Sequence, residues 1–316
     1  MTNPNHSGMP QSLRDWLDSI NQRKRAAAAS GLKYTPTNVS EALETLTRRF
    51  VTEVPEVPLI RDELIAGPDY QVPVRIYHPE PGAVLPVVVF VHGGGHVAGN
   101  VSLYDPIARK TALAVRRILV SVDYRLAPEC PYPAALKDSL AVVKGLYRTL
   151  ELLCIPFQPR LALIGDSAGG ALCATLAHRC QFEPGVSIES QALIYPSLDY
   201  TLSQPSVSGN GEGYLLERDR ILWLFERYLQ AAEGRRAVSP LFMPITAGYP
   251  RTLVSTAEHC PLRDEGIAYA QRLSEAGILC EQETVRGMIH AFLNLEDLVP
   301  RECSALYARL RGFFGQ

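Results

Sequence analysis

The chain reads as an α/β protein, a mostly parallel, eight-stranded sheet with helices on both faces. Three observations carry that reading. Short apolar runs rich in Val, Ile and Leu alternate with helix-forming stretches over most of the 316 residues. Two of those runs break abruptly into glycine-rich turns, at 92–95 and 165–170. The hydrophobic content, 47%, is enough to fill a sizeable core.

In chain order, residues 1–50 read as two amphipathic helices. Leu13, Trp16, Leu17 and Ile20 share one face, and Leu43, Leu46 and Phe50 another. Ser12 with Asp15 has the form of a capping pair at the first helix start. Strands are expected near 57–65, 72–78, 86–92, 118–123, 160–164, 190–195, 251–257 and 280–285, the first two pairing antiparallel. Residues 51–316 form the main domain, with an insertion at about 202–245. That insertion opens as a loop at 208–213 and continues as a helix with Ile221, Leu222, Phe225, Tyr228 and Leu229 on its apolar face. Trp16, Trp223 and Phe225 are pocket candidates, with ordinary core packing as the alternative for each.

The two glycine-rich turns carry the chemistry. Gly165-Asp166-Ser167-Ala168-Gly169-Gly170 directly follows the apolar run 161–164 and precedes good helix material. A G-x-S-x-G turn from strand to helix is the nucleophile elbow of the α/β-hydrolase fold. Its glycines permit a sharp turn that lifts the Ser167 hydroxyl off the sheet edge, beside the amides of a helix N-terminus. About 75 residues earlier, His92-Gly93-Gly94-Gly95 follows the strand-like run 86–91. Glycines there let backbone N–H groups approach a ligand closely, as an oxyanion hole requires. A phosphate loop would need a Gly-Lys-Ser/Thr ending, and none is present.

With these two motifs go 123–129 (Asp-Tyr-Arg-Leu-Ala-Pro-Glu), Pro131–Ala135, 195–199 (Tyr-Pro-Ser-Leu-Asp), Pro261–Gly266 and 287–292 (Gly-Met-Ile-His-Ala-Phe). From about residue 55 onward the chain resembles the hormone-sensitive-lipase family of esterases, in its bacterial acetyl-esterase and carboxylesterase branch. The resemblance implies Ser167 as nucleophile, His290 as general base, and the amides of Gly94, Gly95 and Ala168 as the oxyanion hole. It also implies that residues 1–50 and 202–245 combine into a cap over the serine. Family members often pair through the last strand and helix, here near 280–316, which makes a homodimer one expectation.

One position departs from the family pattern. The residue before Pro261-Leu262-Arg263-Asp264, where the family writes its catalytic aspartate, is Cys260. A neutral thiol is a weak hydrogen-bond partner and stabilises little imidazolium charge. Losing the acid of a serine-protease triad costs about 10⁴-fold in turnover. Asp264, one helical turn further on, is the favoured substitute because it stays in the correct loop. Glu258, Asp199 and a dyad without any acid are the alternatives.

The remaining composition narrows the class. Acidic and basic residues nearly cancel, 33 against 31, which argues against nucleic acid or an anionic membrane as the main partner. No apolar stretch approaches the roughly 20 residues of a membrane span, and residues 1–6 lack a leader's basic start and apolar core. Seven scattered cysteines without a C-x-x-C pair suggest reduced thiols and a cytoplasmic protein. No metal or other cofactor is expected; His92 and His96 flank a glycine loop rather than a helical metal face. Arg125 with Glu129 is expected to tie down a loop by charge pairing, Asp166 to be structural, Cys173 and Cys180 to be packed, and His96 to touch substrate. The expected function is a serine hydrolase of uncharged, short-chain carboxylic esters acting through an acyl-enzyme. A weakened ligand-binding protein, or an amidase or lactonase using the same serine, are the rivals.

Overall fold

A computed structural model describes residues 8–31, 33–231 and 233–315. Residues 1–6, read above for a leader, lie outside them. The centre of the sheet forms where β-branched runs are buried on both faces. The strands are β1 (Leu59–Ala66), β2 (Gln71–His78), β3 (Leu85–Val91), β4 (Ile118–Val122), β5 (Phe157–Asp166), β6 (Ile188–Ile194), β7 (Arg251–His259) and β8 (Cys280–Ile289). They lie side by side as β1-β2-β4-β3-β5-β6-β7-β8. β1 and β2 pair antiparallel, as does β2 with β4, and from β4 to β8 every pairing is parallel. All eight strands fall within a few residues of the expected positions.

The helices are α1 (Gln11–Ala29), α2 (Pro36–Phe50), α3 (Asp105–Val115), α4 (Ala134–Leu152), α5 (Ala168–Cys180), α6 (Ser206–Gly209), α7 (Arg218–Tyr228), α8 (Arg235–Val238), α9 (Arg263–Glu275) and α10 (Pro300–Phe314). Because side chains alternate along a strand, β3 feeds two cores. Val88 and Phe90 join the cluster containing Ile107 of α3 and Leu310 of α10. Val87, Val89 and Val91 join Val142 of α4, Leu172 of α5 and Leu273 of α9.

The N-terminal helices are anchored by polar bonds as well as apolar burial. Leu13 and Leu17 of α1 are fully buried. Asn21 Nδ2 donates to the Gly213 carbonyl at 2.8 Å, and Lys24 Nζ reaches the Leu215 carbonyl at 2.6 Å and Glu217 at 3.1 Å. These contacts tie α1 to the segment between β6 and β7. Thr47 of α2 accepts a 3.0 Å bond from Asn294 Nδ2, in the 3₁₀ turn Phe292–Leu298 that follows β8.

Two local expectations need correction. Ser12 does not cap α1: its hydroxyl donates to the Leu298 carbonyl, while Asp15 accepts from Gln11. Long-range anchoring has outcompeted the local cap. The capping box belongs to α2 instead, where Thr35 and Asn38 bond reciprocally at 2.9 and 3.1 Å ahead of Pro36. Arg125 does pin its loop, but through Asp138 (2.7 Å) and Asp69 (3.1 Å) rather than Glu129. Cys173 and Cys180 are packed, and all seven thiols are unpaired.

Both Thr47 and Asn294 are almost fully buried. Replacing Thr47 by the isosteric valine therefore strands the Asn294 amide, at a cost of about 1–3 kcal/mol. Urea unfolding should show this as a lower midpoint at unchanged slope.

Candidate active site

The carboxyl ends of β3, β5, β7 and β8 open on the same edge of the sheet, where open α/β sheets place their sites. They deliver Gly93–Gly95, Ser167, Cys260 and His290 respectively.

Ser167 sits at φ 53°, ψ −118°, a strained conformation for any L-residue, immediately ahead of α5. The fold over-determines that strain. Ser167 N donates to the Ile194 carbonyl (2.9 Å), and its own carbonyl accepts from Ser197 N (3.1 Å). A Cβ on Gly165 would collide with the Gly169 carbonyl, and one on Gly169 with the Val91 carbonyl. Glycine at both flanks is thus a steric requirement of strand and helix packing closely together.

The glycine loop after β3 is braced from below by the same elbow. Gly93 N donates to Asp166 Oδ1 at 2.7 Å, and Tyr104 donates its hydroxyl to Oδ2 at 3.2 Å. Asp166 is therefore structural, as expected; burial pushes its carboxyl up to about 7 against the pull of these donors. Gly94 has φ 120° and Gly95 φ 66°, and a Cβ on Gly94 would strike the Ala98 carbonyl. The Gly94 and Gly95 amides have no hydrogen-bond acceptor among the described residues. Both line the cavity with Ala168, the first residue of α5.

His290 follows β8, buried, with Nε2 2.9 Å from Ser167 Oγ. The Tyr195 ring meets its edge at 5.0 Å between centroids. Burial, reinforced by the nearby Arg220 cation, pulls the imidazole down to about 3, so it is neutral and able to accept a proton.

The other ring nitrogen meets sulfur. Cys260 Sγ lies 3.2 Å from His290 Nδ1 and also accepts from Leu262 N at 3.3 Å. Cys260 is fully buried, which raises its thiol pKa and keeps it protonated. The structure does not bring Asp264 to His290. Its carboxylate accepts from Ser206 N (2.9 Å) and pairs with Arg263 (2.8 Å), facing α6. The start of α9 directs it there, one turn past the position that touches the imidazole. Glu258 is likewise engaged, accepting from Gly287 N at 2.7 Å. Asp199 is fully buried and accepts from the amides and hydroxyls of both Thr201 and Ser203.

A cavity of about 410 Å³ spans Ser167 and His290. Its walls come from α1 (Trp16, Ile20), α2 (Leu43, Leu46) and α7 (Ile221, Leu224, Phe225), with His96 beside the glycine loop. Trp16 and Phe225 line it, whereas Trp223 packs outside it against Tyr34 and Arg227. His96 is held against Tyr228, with parallel rings 3.6 Å apart, and its Nε2 lies 3.2 Å from the Tyr200 hydroxyl. His92 stacks on Tyr124 at 4.3 Å. Among the described residues no cluster of three metal-ligating side chains occurs.

Sequence reasoning missed Tyr195, which packs on the His290 ring, and Arg220, which lines the cavity. Tyr195 lay within the 195–199 motif without a role of its own. Arg220 gave a visible signal, a charge one turn before Leu224 on the buried stripe of α7.

The placement of Asp264 has a direct consequence. Asp264→Asn keeps an acceptor for Ser206 N and should change kcat by less than about threefold, since it removes no partner of the imidazole. A loss of tenfold or more in steady-state assays would contradict that geometry.

Comparison with known proteins assigns the chain to a family. A family model of the alpha/beta hydrolase fold matches residues 88–294. The carboxylesterase NlhH of Mycobacterium tuberculosis is 35% identical over 285 residues, covering 86% of this chain and 88% of that protein. The ethyl acetate hydrolase of Pseudomonas putida is 32% identical, covering 73% and 74%. A hyperthermophilic esterase from Pyrobaculum calidifontis superposes with a TM-score of 0.82 at 31% identity, covering 90% and 94%. The chain belongs to the hormone-sensitive-lipase-like family of α/β-hydrolases and is a carboxylesterase-type hydrolase.

Proposed function

We propose that the protein hydrolyses short-chain acyl esters through an acyl-enzyme on Ser167, with His290 as base and Cys260 in the place of the triad acid. The observation that carries this reading is the continuous line from Ser167 Oγ to His290 Nε2 (2.9 Å) and from His290 Nδ1 to Cys260 Sγ (3.2 Å).

For His290 to take the serine proton, Nε2 must be the bare nitrogen and Nδ1 must carry hydrogen. Sulfur then accepts that hydrogen, weakly. A thiol can also donate, which would select the opposite tautomer and leave Nε2–H facing Ser167. A carboxylate only accepts, so it fixes the productive tautomer and offsets the imidazolium charge as well. Cys260 does the first poorly and the second hardly at all. The remaining machinery compensates in part. Ser167 attacks the ester carbonyl, and the oxyanion is held by the amides of Gly94, Gly95 and Ala168 at the positive end of α5. His290 passes its proton to the leaving alcohol, and water then releases the acyl group by the same steps in reverse. The elbow and oxyanion hole without a complete triad typically leave about 10³–10⁴-fold acceleration over water. The apolar walls around Ser167 suit a short acyl chain and a modest alcohol.

The presence of a thiol where the imidazole wants a carboxylate favours one second reading, a ligand-binding protein that turns over slowly or not at all. Hydrolysis of p-nitrophenyl butyrate separates the two. Turnover should be measurable in the native protein and vanish in Ser167→Ala. Cys260→Asp should raise kcat by about tenfold or more, a fraction of the 10⁴-fold that the acid supplies in a full triad. Background rates in all three proteins would favour binding without catalysis.

A further inference from the structure

The geometry points to Arg220 as a carboxylate-binding residue of the substrate cavity, so that the ester hydrolysed itself carries a free carboxylate. This rests on the esterase reading above and revises the expectation of an uncharged ester.

Arg220 lines the same cavity as Ser167 and His290. Its guanidinium makes no hydrogen bond or ion pair among the described residues, and its Nε is sealed from solvent without a partner. Most other arginines here that sit below the surface are paired: Arg75 with Asp62 and Asp105, Arg117 with Glu189, Arg125 with Asp138. The nearby carboxylate that could have served Arg220 is Glu217, which is committed to Lys24 at 3.1 Å. Asp166 also borders the cavity, but its oxygens are taken by Gly93 and Tyr104. Ile221, Leu224 and Phe225, beside it on α7, are apolar. A cation held this way is costly until something anionic arrives. A guanidinium offers a planar fork that matches a carboxylate with two parallel bonds.

A second line of reasoning meets the first at His290. In the transition state that ring gains a positive charge, and no carboxylate stands behind it to offset the gain, because Cys260 does. Arg220 opposes the same charge, adding to the effect of burial on the imidazole. An anion seated on Arg220 cancels that opposition. A substrate carboxylate thereby assists the chemical step in addition to binding, which places part of its effect in kcat. The carboxylate itself is unchanged: water splits the ester bond into acid and alcohol, and the anion stays on whichever half carries it.

That half can be either the acyl group, in a half-ester of a dicarboxylic acid, or the alcohol, in an acylated hydroxy acid. Two matched pairs distinguish them: p-nitrophenyl hemiadipate against p-nitrophenyl hexanoate, and butyryloxy-nitrobenzoate against p-nitrophenyl butyrate. At least one carboxylate ester should exceed its neutral counterpart in kcat/KM by about tenfold or more, as a charge-assisted bidentate contact provides. That ratio should fall at least about tenfold in Arg220→Met and recover partly in Arg220→Lys, which keeps the charge but not the fork. Ratios at or below unity in the native protein, or unchanged in a folded Arg220→Met variant, would overturn the assignment. Calorimetry with para-butoxybenzoate, which cannot be hydrolysed, reads the same contact without turnover. It should bind the native protein and Ser167→Ala alike and Arg220→Met about tenfold more weakly, a difference absent for para-butoxybenzyl alcohol. Carboxylate binding through Arg220 with no ester turned over would sink the esterase reading and leave this site standing. Turnover without carboxylate preference or binding would do the reverse.

Discussion

The 2.9 Å contact between Ser167 Oγ and His290 Nε2 is the interaction to which the rest of the structure is subordinate. It joins the ends of β5 and β8, two strands separated in the sheet by β6 and β7. Only a parallel arrangement brings both carboxyl ends to one edge, and only a strained elbow lifts the serine to the height of the imidazole. Gly165 and Gly169 admit that elbow, the Ile194 and Ser197 backbones hold it, and Asp166 turns the same loop into a support for the glycine loop after β3. The strain at Ser167 is stored locally and borne by the sheet.

What stands behind the imidazole is less settled chemically than what stands in front of it. The pocket that would hold an aspartate holds a buried thiol, bonded by Leu262 N much as a carboxylate would be. Each nearby carboxylate is already occupied: Asp264 by Ser206 and Arg263, Glu258 by Gly287, Asp199 by its own turn. The cavity therefore presents a neutral imidazole, a neutral thiol behind it and, in Arg220, a cation whose Nε is buried without a partner. That charge balance, more than the shape of the cavity, separates this chain from a generic esterase.

The sheet was legible because buried parallel strands write themselves as continuous β-branched runs. The elbow and glycine loop were legible because their backbone geometry tolerates almost no other residue. Asp264 misled because a sequence gives spacing but not direction: one turn of α9 carries its side chain away from the imidazole toward Ser206. Arg125 and Ser12 misled for a related reason, since each found a partner distant in sequence, Asp138 and Leu298, in preference to a local one. Arg220 could be seen in the sequence as a charge on an apolar stripe, but its lack of a partner appears only once α1, α2 and α7 are packed around the cavity.

The central claim is that Ser167, activated by an imidazole resting on sulfur, is the residue that becomes acylated. Acid-quenched mass spectrometry of the protein mixed with excess p-nitrophenyl butyrate, followed by peptide mapping, tests it most directly. The account predicts one butyryl group per chain, on the peptide bearing Ser167, and none on Cys260. A butyryl group on Cys260, or turnover that proceeds with Ser167 never modified, would contradict it.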